Sequence, residues 1–264
     1  MPMITLGDLS VYYEKHGQGE PVLLIHGLGS STEDWEPQVE ALARDFTVVT
    51  YDVRGHGKTA KPAGAYSVPQ FAADAARLLE HLALGPLQVM GLSMGGMIAF
   101  QLAADRPELV RSLIIVNSGP EMILRSWKEK LAIYQRTVIV RLLGMSKMGE
   151  VLAGRLLPDP RHAALRRTFV ERWGRNDPGA YLRALAALVG WSVMAKLPQI
   201  TCPVLVVAAD QDYTPVAWKR DYTLKMPRAS LAVIPDARHM MPVEMPAPFH
   251  AVIIPFLKGE GAGR

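Results

Sequence analysis

The stretch Val89-Met90-Gly91-Leu92-Ser93-Met94-Gly95-Gly96-Met97-Ile98-Ala99-Phe100 decides how this chain is read. A short apolar run enters Gly91, and an apolar segment of helical character leaves from Gly95. Three glycines around one hydroxyl mark a backbone that turns too tightly for side chains, because glycine alone tolerates such conformations and close approaches cheaply. Between a strand and a helix, G-x-S-x-G reads as a nucleophile elbow. Such a strained turn lifts the serine hydroxyl out at a helix N-terminus, where developing negative charge is favoured. Ser93 is therefore the candidate nucleophile.

Outward from this turn, short apolar runs alternate with helical patterns, the signature of βαβ units and a largely parallel sheet. The strand candidates are PVLLIHG, FTVVTYD, LQVMGLS, SLIIVNS, PVLVVAAD and SLAVIPDA, several of them continuous Val/Ile/Leu runs suited to burial on both faces. Helices are expected around Glu33 to Ala43, Val68 to Leu84, Gly95 to Asp105, Val216 to Met226 and Ala247 to Leu257. MITLG and LSVYYEKHG, on either side of Gly7-Asp8, read as an antiparallel hairpin at the sheet edge. The alternation stops between Gly119 and about Pro198, where helical patterns run without a convincing strand. The fold expected is α/β: a mostly parallel central sheet with helices on both faces and a helical insertion after the sixth strand.

A serine hydroxyl is a weak nucleophile until a base takes its proton, so a histidine and an orienting carboxylate are needed downstream. Of the seven histidines, His239 follows the last strand candidate in IPDARHMMP, where a loop can carry it over Ser93. His81 and His250 lie within helix candidates, His16 ends the hairpin, and His162 sits in the basic insertion. The strand before His239 ends in PVLVVAADQDYTP, which offers Asp210 and Asp212. Asp212 is preferred, because two further residues past the strand place it in the loop. The order Ser, Asp, His along the chain is the one found in α/β hydrolases.

Composition narrows the rest. With 264 residues, 49% of them hydrophobic, the chain suits one large core with an insertion. No run of about 18 apolar residues and no leader-like N-terminus is visible, so a soluble, cytoplasmic protein without stable membrane association is expected. The net charge of +4 comes from scattered arginines, densest in RHAALRRTFVERWGR, where apolar residues at helical spacing indicate one solvated helix face. Nucleic acid is not expected as a partner. Cys202 is alone and reads as a small apolar residue at a strand start. No ligand spacing for a metal and no phosphate loop is present, so neither metal nor cofactor is expected.

LIHGLGSSTEDW (Leu24 to Trp35), YDVRGHGKTAKP (Tyr51 to Pro62), GLSMGG (Gly91 to Gly96), DQDYTP (Asp210 to Pro215) and ARH (Ala237 to His239) follow one another in an order and spacing that resembles the α/β-hydrolase superfamily over nearly the whole chain. The resemblance implies Ser93 as nucleophile, His239 as base and Asp212 as orienting acid. It further implies that the backbone N–H groups of Leu28 and Met94 form an oxyanion hole. His26, Asp52, Arg54 and His56 then brace loops rather than react. It also makes the insertion a lid, residues 120–197, over a core of residues 1–119 and 198–264. Trp127, Met145, Trp191 and Met240 are the candidate pocket residues, although each could instead glue helices together.

The reaction implied is hydrolysis of a carboxylic ester or lactone of a small to medium apolar substrate by water, through an acyl-enzyme. The motifs are similar to those of carboxylesterases and enol-lactone hydrolases. A carbon–carbon bond hydrolase, a perhydrolase and a ligand sensor with vestigial hydrolysis remain alternatives. Haloalkane dehalogenases carry Asp in place of Ser93, and cofactor-free perhydrolases usually carry Trp in place of Leu28. Oligomeric state is not legible.

Overall fold

The structure, a computed structural model, describes residues 2–260. Strands β1 (Met3–Leu6), β2 (Leu9–His16), β3 (Glu20–Ile25), β4 (Phe46–Tyr51), β5 (Leu87–Leu92), β6 (Val110–Val116), β7 (Val204–Ala209) and β8 (Ala229–Ile234) form one sheet in the order β1-β2-β4-β3-β5-β6-β7-β8. β1 and β2 make the expected antiparallel hairpin, and β2 pairs antiparallel with β4. All pairings from β4 onward are parallel. β4, β5 and β7 are buried at every position, which is why they are mostly apolar, with Thr47, Thr50 and Gln88 the polar residues among them.

The helices are α1 (Glu36–Leu42), α2 (Val68–Leu82), α3 (Met94–Asp105), α4 (Trp127–Leu156), α5 (Ala163–Gly174), α6 (Pro178–Leu188), α7 (Val216–Thr223), α8 (Met241–Glu244) and α9 (Pro246–Leu257). Their starts are chemically marked. Ser67 accepts from the Gln70 N–H ahead of α2, Asp177 does the same for Ala180 ahead of α6, and Ser126 and Glu129 form a reciprocal capping box on α4. α2 and α3 cover one face of the sheet, where Phe71, Ile98 and Phe100 pack on Leu23 and Val89. α1 and α9 cover the other, with Phe249 and Ile253 against Leu24 and Val48. Each such fully buried apolar side chain contributes about 1.5–3 kcal/mol relative to exposure. Among the described residues no helix is long and apolar enough to cross a membrane.

Between β6 and β7 the chain forms α4, α5 and α6 with their own apolar cluster, which includes Met148, Phe169, Trp173 and Leu185. The two ends of this segment grip each other. Met122 N–H donates to the Trp191 carbonyl, Gly190 N–H to that of Met122, and Val193 N–H to that of Pro120. α5 is more than a solvated face: Arg172 pairs with Asp34 at 3.0 Å and Arg175 with Glu33, tying the helix to the loop after β3. α4 breaks its helical phase at Gly144, whose φ of 79° and ψ of −179° set its two arms at different rotations. Cys202 is a half-buried free thiol just before β7, its pKa pushed up to about 11 by burial.

Candidate active site

Ser93 sits at the end of β5 with φ 55° and ψ −116°, a left-handed conformation rare for a side-chain-bearing residue. The glycines make this turn possible. A Cβ at Gly95 would collide with the carbonyl groups of Ile25 and His26, and one at Gly91 with the carbonyl of Gly95. The turn is locked by Ser93 N–H donating to the Val116 carbonyl and by the Ser118 hydroxyl donating to the Ser93 carbonyl at 2.6 Å. A strained strand-to-helix turn held on both sides thus presents Ser93 to the cavity above the sheet.

The loops after β7 and β8 bring Asp212 and His239 together. His239 Nδ1 lies 2.8 Å from Asp212 Oδ1, and a carboxylate there fixes the proton on Nδ1 and leaves Nε2 as the acceptor. Burial would raise the Asp212 carboxyl, but the hydrogen bond from His239 and the charges of His239 and Lys219 outweigh it and hold the pKa at about 2. Lys219, on α7, is 0% exposed and donates to Asp212 Oδ2 at 2.7 Å. Asn117, just past β6 at φ 43°, donates to the carbonyls of Arg238 and His239 and accepts from Ala209 N–H and Lys219. One amide therefore ties the His239 loop to the Asp212 loop. Sequence reading missed Lys219 and Asn117, since neither belongs to a motif; their positions just after a strand and one helical turn into α7 were the available signal.

Tyr213 is the larger surprise. Its hydroxyl lies 3.0 Å from His239 Nε2, the atom a serine proton would reach, and the two rings are 4.3 Å apart. Tyr213 is 66% exposed and lines the same cavity as Ser93. Tyr213 thus occupies the imidazole nitrogen that Ser93 would need.

Gly27 places the turn after β3 beside Ser93, whose Cβ a methyl on Gly27 would approach to 3.6 Å. Among the described residues, neither Leu28 N–H nor Met94 N–H donates to a protein acceptor. His26 and His56 lie behind this turn, fully buried with rings edge to face at 5.2 Å. Burial lowers their pKa values to about 4 and about 3. His26 Nε2 accepts from Val53 N–H, Asp52 accepts from Thr32 and Lys58 N–H, and Arg54 pairs with Asp74 at 2.7 Å. These four side chains are engaged in holding loops, as expected of them.

The cavity has a volume of about 570 Å³, and its walls include Leu28, Met97, Phe169, Trp173, Leu185 and Met240. Three expected pocket residues lie elsewhere. Trp127 is 68% exposed at the start of α4. Met145 follows the Gly144 break and is buried among the helices of the insertion. Trp191 is buried beneath the insertion, its indole N–H donating to Gln101 on α3 at 2.7 Å. Met240 is the one of the four that reaches the cavity.

Sheet order, elbow and paired carboxylate and imidazole define an α/β hydrolase, and a family model described as alpha/beta hydrolase fold matches residues 20–138. The chain belongs to that family. It is 31% identical to "Putative carbamate hydrolase RutD" of Stutzerimonas stutzeri strain A1501, over 94% of this chain and 96% of that protein. It is 30% identical to 3-oxoadipate enol-lactonase 2 of Acinetobacter baylyi, over 94% of each. The solved structure of a thermophilic esterase from Thermogutta terrifontis superposes with a TM-score of 0.88 at 28% identity, covering 98% of both chains.

Proposed function

We propose that this protein is a serine hydrolase that cleaves a carboxylic ester or lactone through an acyl-enzyme. The observation that carries the reading is the Asp212–His239 pair standing at the cavity into which the strained Ser93 turn opens. Ser93 Oγ attacks the carbonyl carbon while His239 Nε2 takes its proton, and Asp212 stabilises the imidazolium. The N–H groups of Leu28 and Met94 are the free donors that receive the oxyanion; losing one such donor typically costs about 10²–10³-fold in rate. The imidazolium then protonates the leaving alkoxide, and a water deprotonated by the same nitrogen releases the acid. In this reading residues 120–197 form a lid over a core of residues 1–119 and 198–264. The mutual grip of the lid's ends and the insertion side chains on the cavity wall support that division.

Ser93 reaches Nε2 once Tyr213 gives that acceptor up. Breaking a neutral hydrogen bond of about 0.5–1.5 kcal/mol is the cost. Tyr213→Phe is therefore expected to raise kcat/KM for p-nitrophenyl acetate by roughly 2- to 10-fold. A fall of tenfold or more would instead make the phenol a proton carrier.

The reading as a whole is tested by steady-state hydrolysis of p-nitrophenyl esters from acetate to decanoate. Many turnovers per molecule are expected, with an optimum at the acyl length that fills the cavity. Absence of turnover with every ester would favour a lactone-restricted or carbon–carbon hydrolase, or a ligand sensor.

A further inference from the structure

Among the described residues, one guanidinium on the cavity wall stands outside every ion pair. Five acidic or guanidinium side chains line it: Asp34, Glu121, Arg125, Glu129 and Arg136. Asp34 is paired with Arg172. Glu121 is paired with Arg125. Glu129 accepts from the backbone N–H groups of Arg125 and Ser126 at 2.7 and 2.8 Å. Arg136 has no carboxylate within ion-pair distance among the described residues.

Arg136 is nevertheless held in place. Its Nε donates to the Tyr181 hydroxyl, and its guanidinium lies over the rings of Trp173 and Tyr181, with centroids 5.8 and 5.3 Å away. These contacts leave its Nη nitrogens without a protein partner among the described residues. A half-buried cation beside Phe169, Trp173 and Leu185 loses hydration, and that loss is recovered when an anion arrives. A planar guanidinium fixed by stacking, with one edge free, matches a carboxylate, which it can grip with two parallel hydrogen bonds. Arg136 lines the same cavity as Tyr213, whose hydroxyl touches His239. Subsite and reacting groups therefore share one cavity.

We propose that Arg136 receives a carboxylate of the substrate, so that the ester or lactone this protein takes carries a free carboxylate on the part of the molecule that lies under the lid. The proposal deepens, and rests on, the hydrolase reading above. A purely structural Arg136, serving as glue between α4 and the aromatic rings, predicts something different: loss of the side chain would affect all substrates alike.

Two esters of equal length separate these outcomes, the mono-p-nitrophenyl ester of glutaric acid and p-nitrophenyl pentanoate. The ratio of their kcat/KM values is expected to fall about 10- to 100-fold in Arg136→Gln, mainly through KM of the anionic ester. Arg136→Lys should recover part of the ratio, as a point charge without the fork. A parallel fall for both esters, with the ratio unchanged, would overturn the subsite. Binding of glutarate to Ser93→Ala, measured by calorimetry at constant ionic strength, gives a readout free of turnover. Adding Arg136→Gln should weaken it by at least about tenfold. Equal binding by the two proteins overturns the subsite even if esters are hydrolysed, whereas Arg136-dependent binding without hydrolysis of either ester counts against ester cleavage and leaves the anion subsite standing.

Discussion

Ser93→Ala is expected to lower kcat for a p-nitrophenyl ester by about 10⁴–10⁶-fold while leaving KM within a few-fold. The substitution removes only the atom that forms the acyl bond. The cavity walls and the backbone donors of Leu28 and Met94 remain, so binding survives and a residual rate above that in water persists. Folding should be little affected, because the turn is held by main-chain bonds, Ser93 N–H to Val116 and Ser118 Oγ to the Ser93 carbonyl. Alanine also tolerates φ 55° no worse than serine. Steady-state kinetics alongside a thermal melt measures both parts. A variant with more than a tenth of wild-type kcat would exclude Ser93 as the nucleophile.

Asp212→Asn is expected to lower kcat by roughly 10⁴-fold and to destabilise the protein as well. The catalytic loss follows from the tautomer. An amide can donate to Nδ1, and the ring proton then moves to Nε2, where a base for Ser93 is needed. The loss of stability follows from Lys219, whose ammonium is fully buried and donates to Asp212 at 2.7 Å. Removing one member of such a pair costs about 3–5 kcal/mol. At about 2–4 °C per kcal/mol for a domain of this size, Tm should drop by roughly 10 °C. Lys219→Met with Asp212 intact should lower Tm while retaining far more activity than Asp212→Asn, since the bond from His239 to Asp212 Oδ1 remains. Equal kcat losses in the two variants would contradict the division of roles between them. The same pairing gives a pH dependence. The folded-state pKa of Asp212 is depressed to about 2, so its stabilising contribution is full above the unfolded carboxyl value near 4 and is lost as pH falls between the two.

The parts of this architecture that were legible in the sequence are those where local chemistry leaves few choices. Strands buried on both faces are dominated by apolar residues, and β4, β5 and β7 are, with only Thr47, Thr50 and Gln88 polar. A turn at φ 55° packed against the Ile25 carbonyl forces Gly91 and Gly95, so the elbow shows itself by what it excludes. Asp212 and His239 were found because a parallel sheet delivers its functional groups from loops past the strand ends, and few titratable residues occupy those loops.

The pocket was less legible because it depends on how helices rotate against one another. Helical spacing shows that Trp127 and Met145 lie on one segment, but the break at Gly144 changes the phase between them. Trp173 reaches the cavity and Trp191 does not, though both follow apolar patterns, because the grip between the insertion's ends pulls Trp191 down onto Gln101. Tyr213 was hidden for another reason. It is adjacent to Asp212 in the chain, yet its hydroxyl meets the ring of a residue on a different loop, a contact that spacing does not encode. Arg136 stood among many arginines, and its lack of an ion pair becomes visible only when the partners of Asp34, Glu121 and Glu129 around the cavity have been traced.

Ser93 is proposed as a nucleophile activated by His239 and Asp212. The most direct test is the intact mass of the protein after incubation with an alkyl p-nitrophenyl phosphonate, followed by peptide mapping. One phosphonyl group per chain is expected, carried on Ser93, formed with release of one equivalent of p-nitrophenol and absent from Ser93→Ala. A protein that stays unmodified while hydrolysing esters, or an adduct on any other residue, would contradict it.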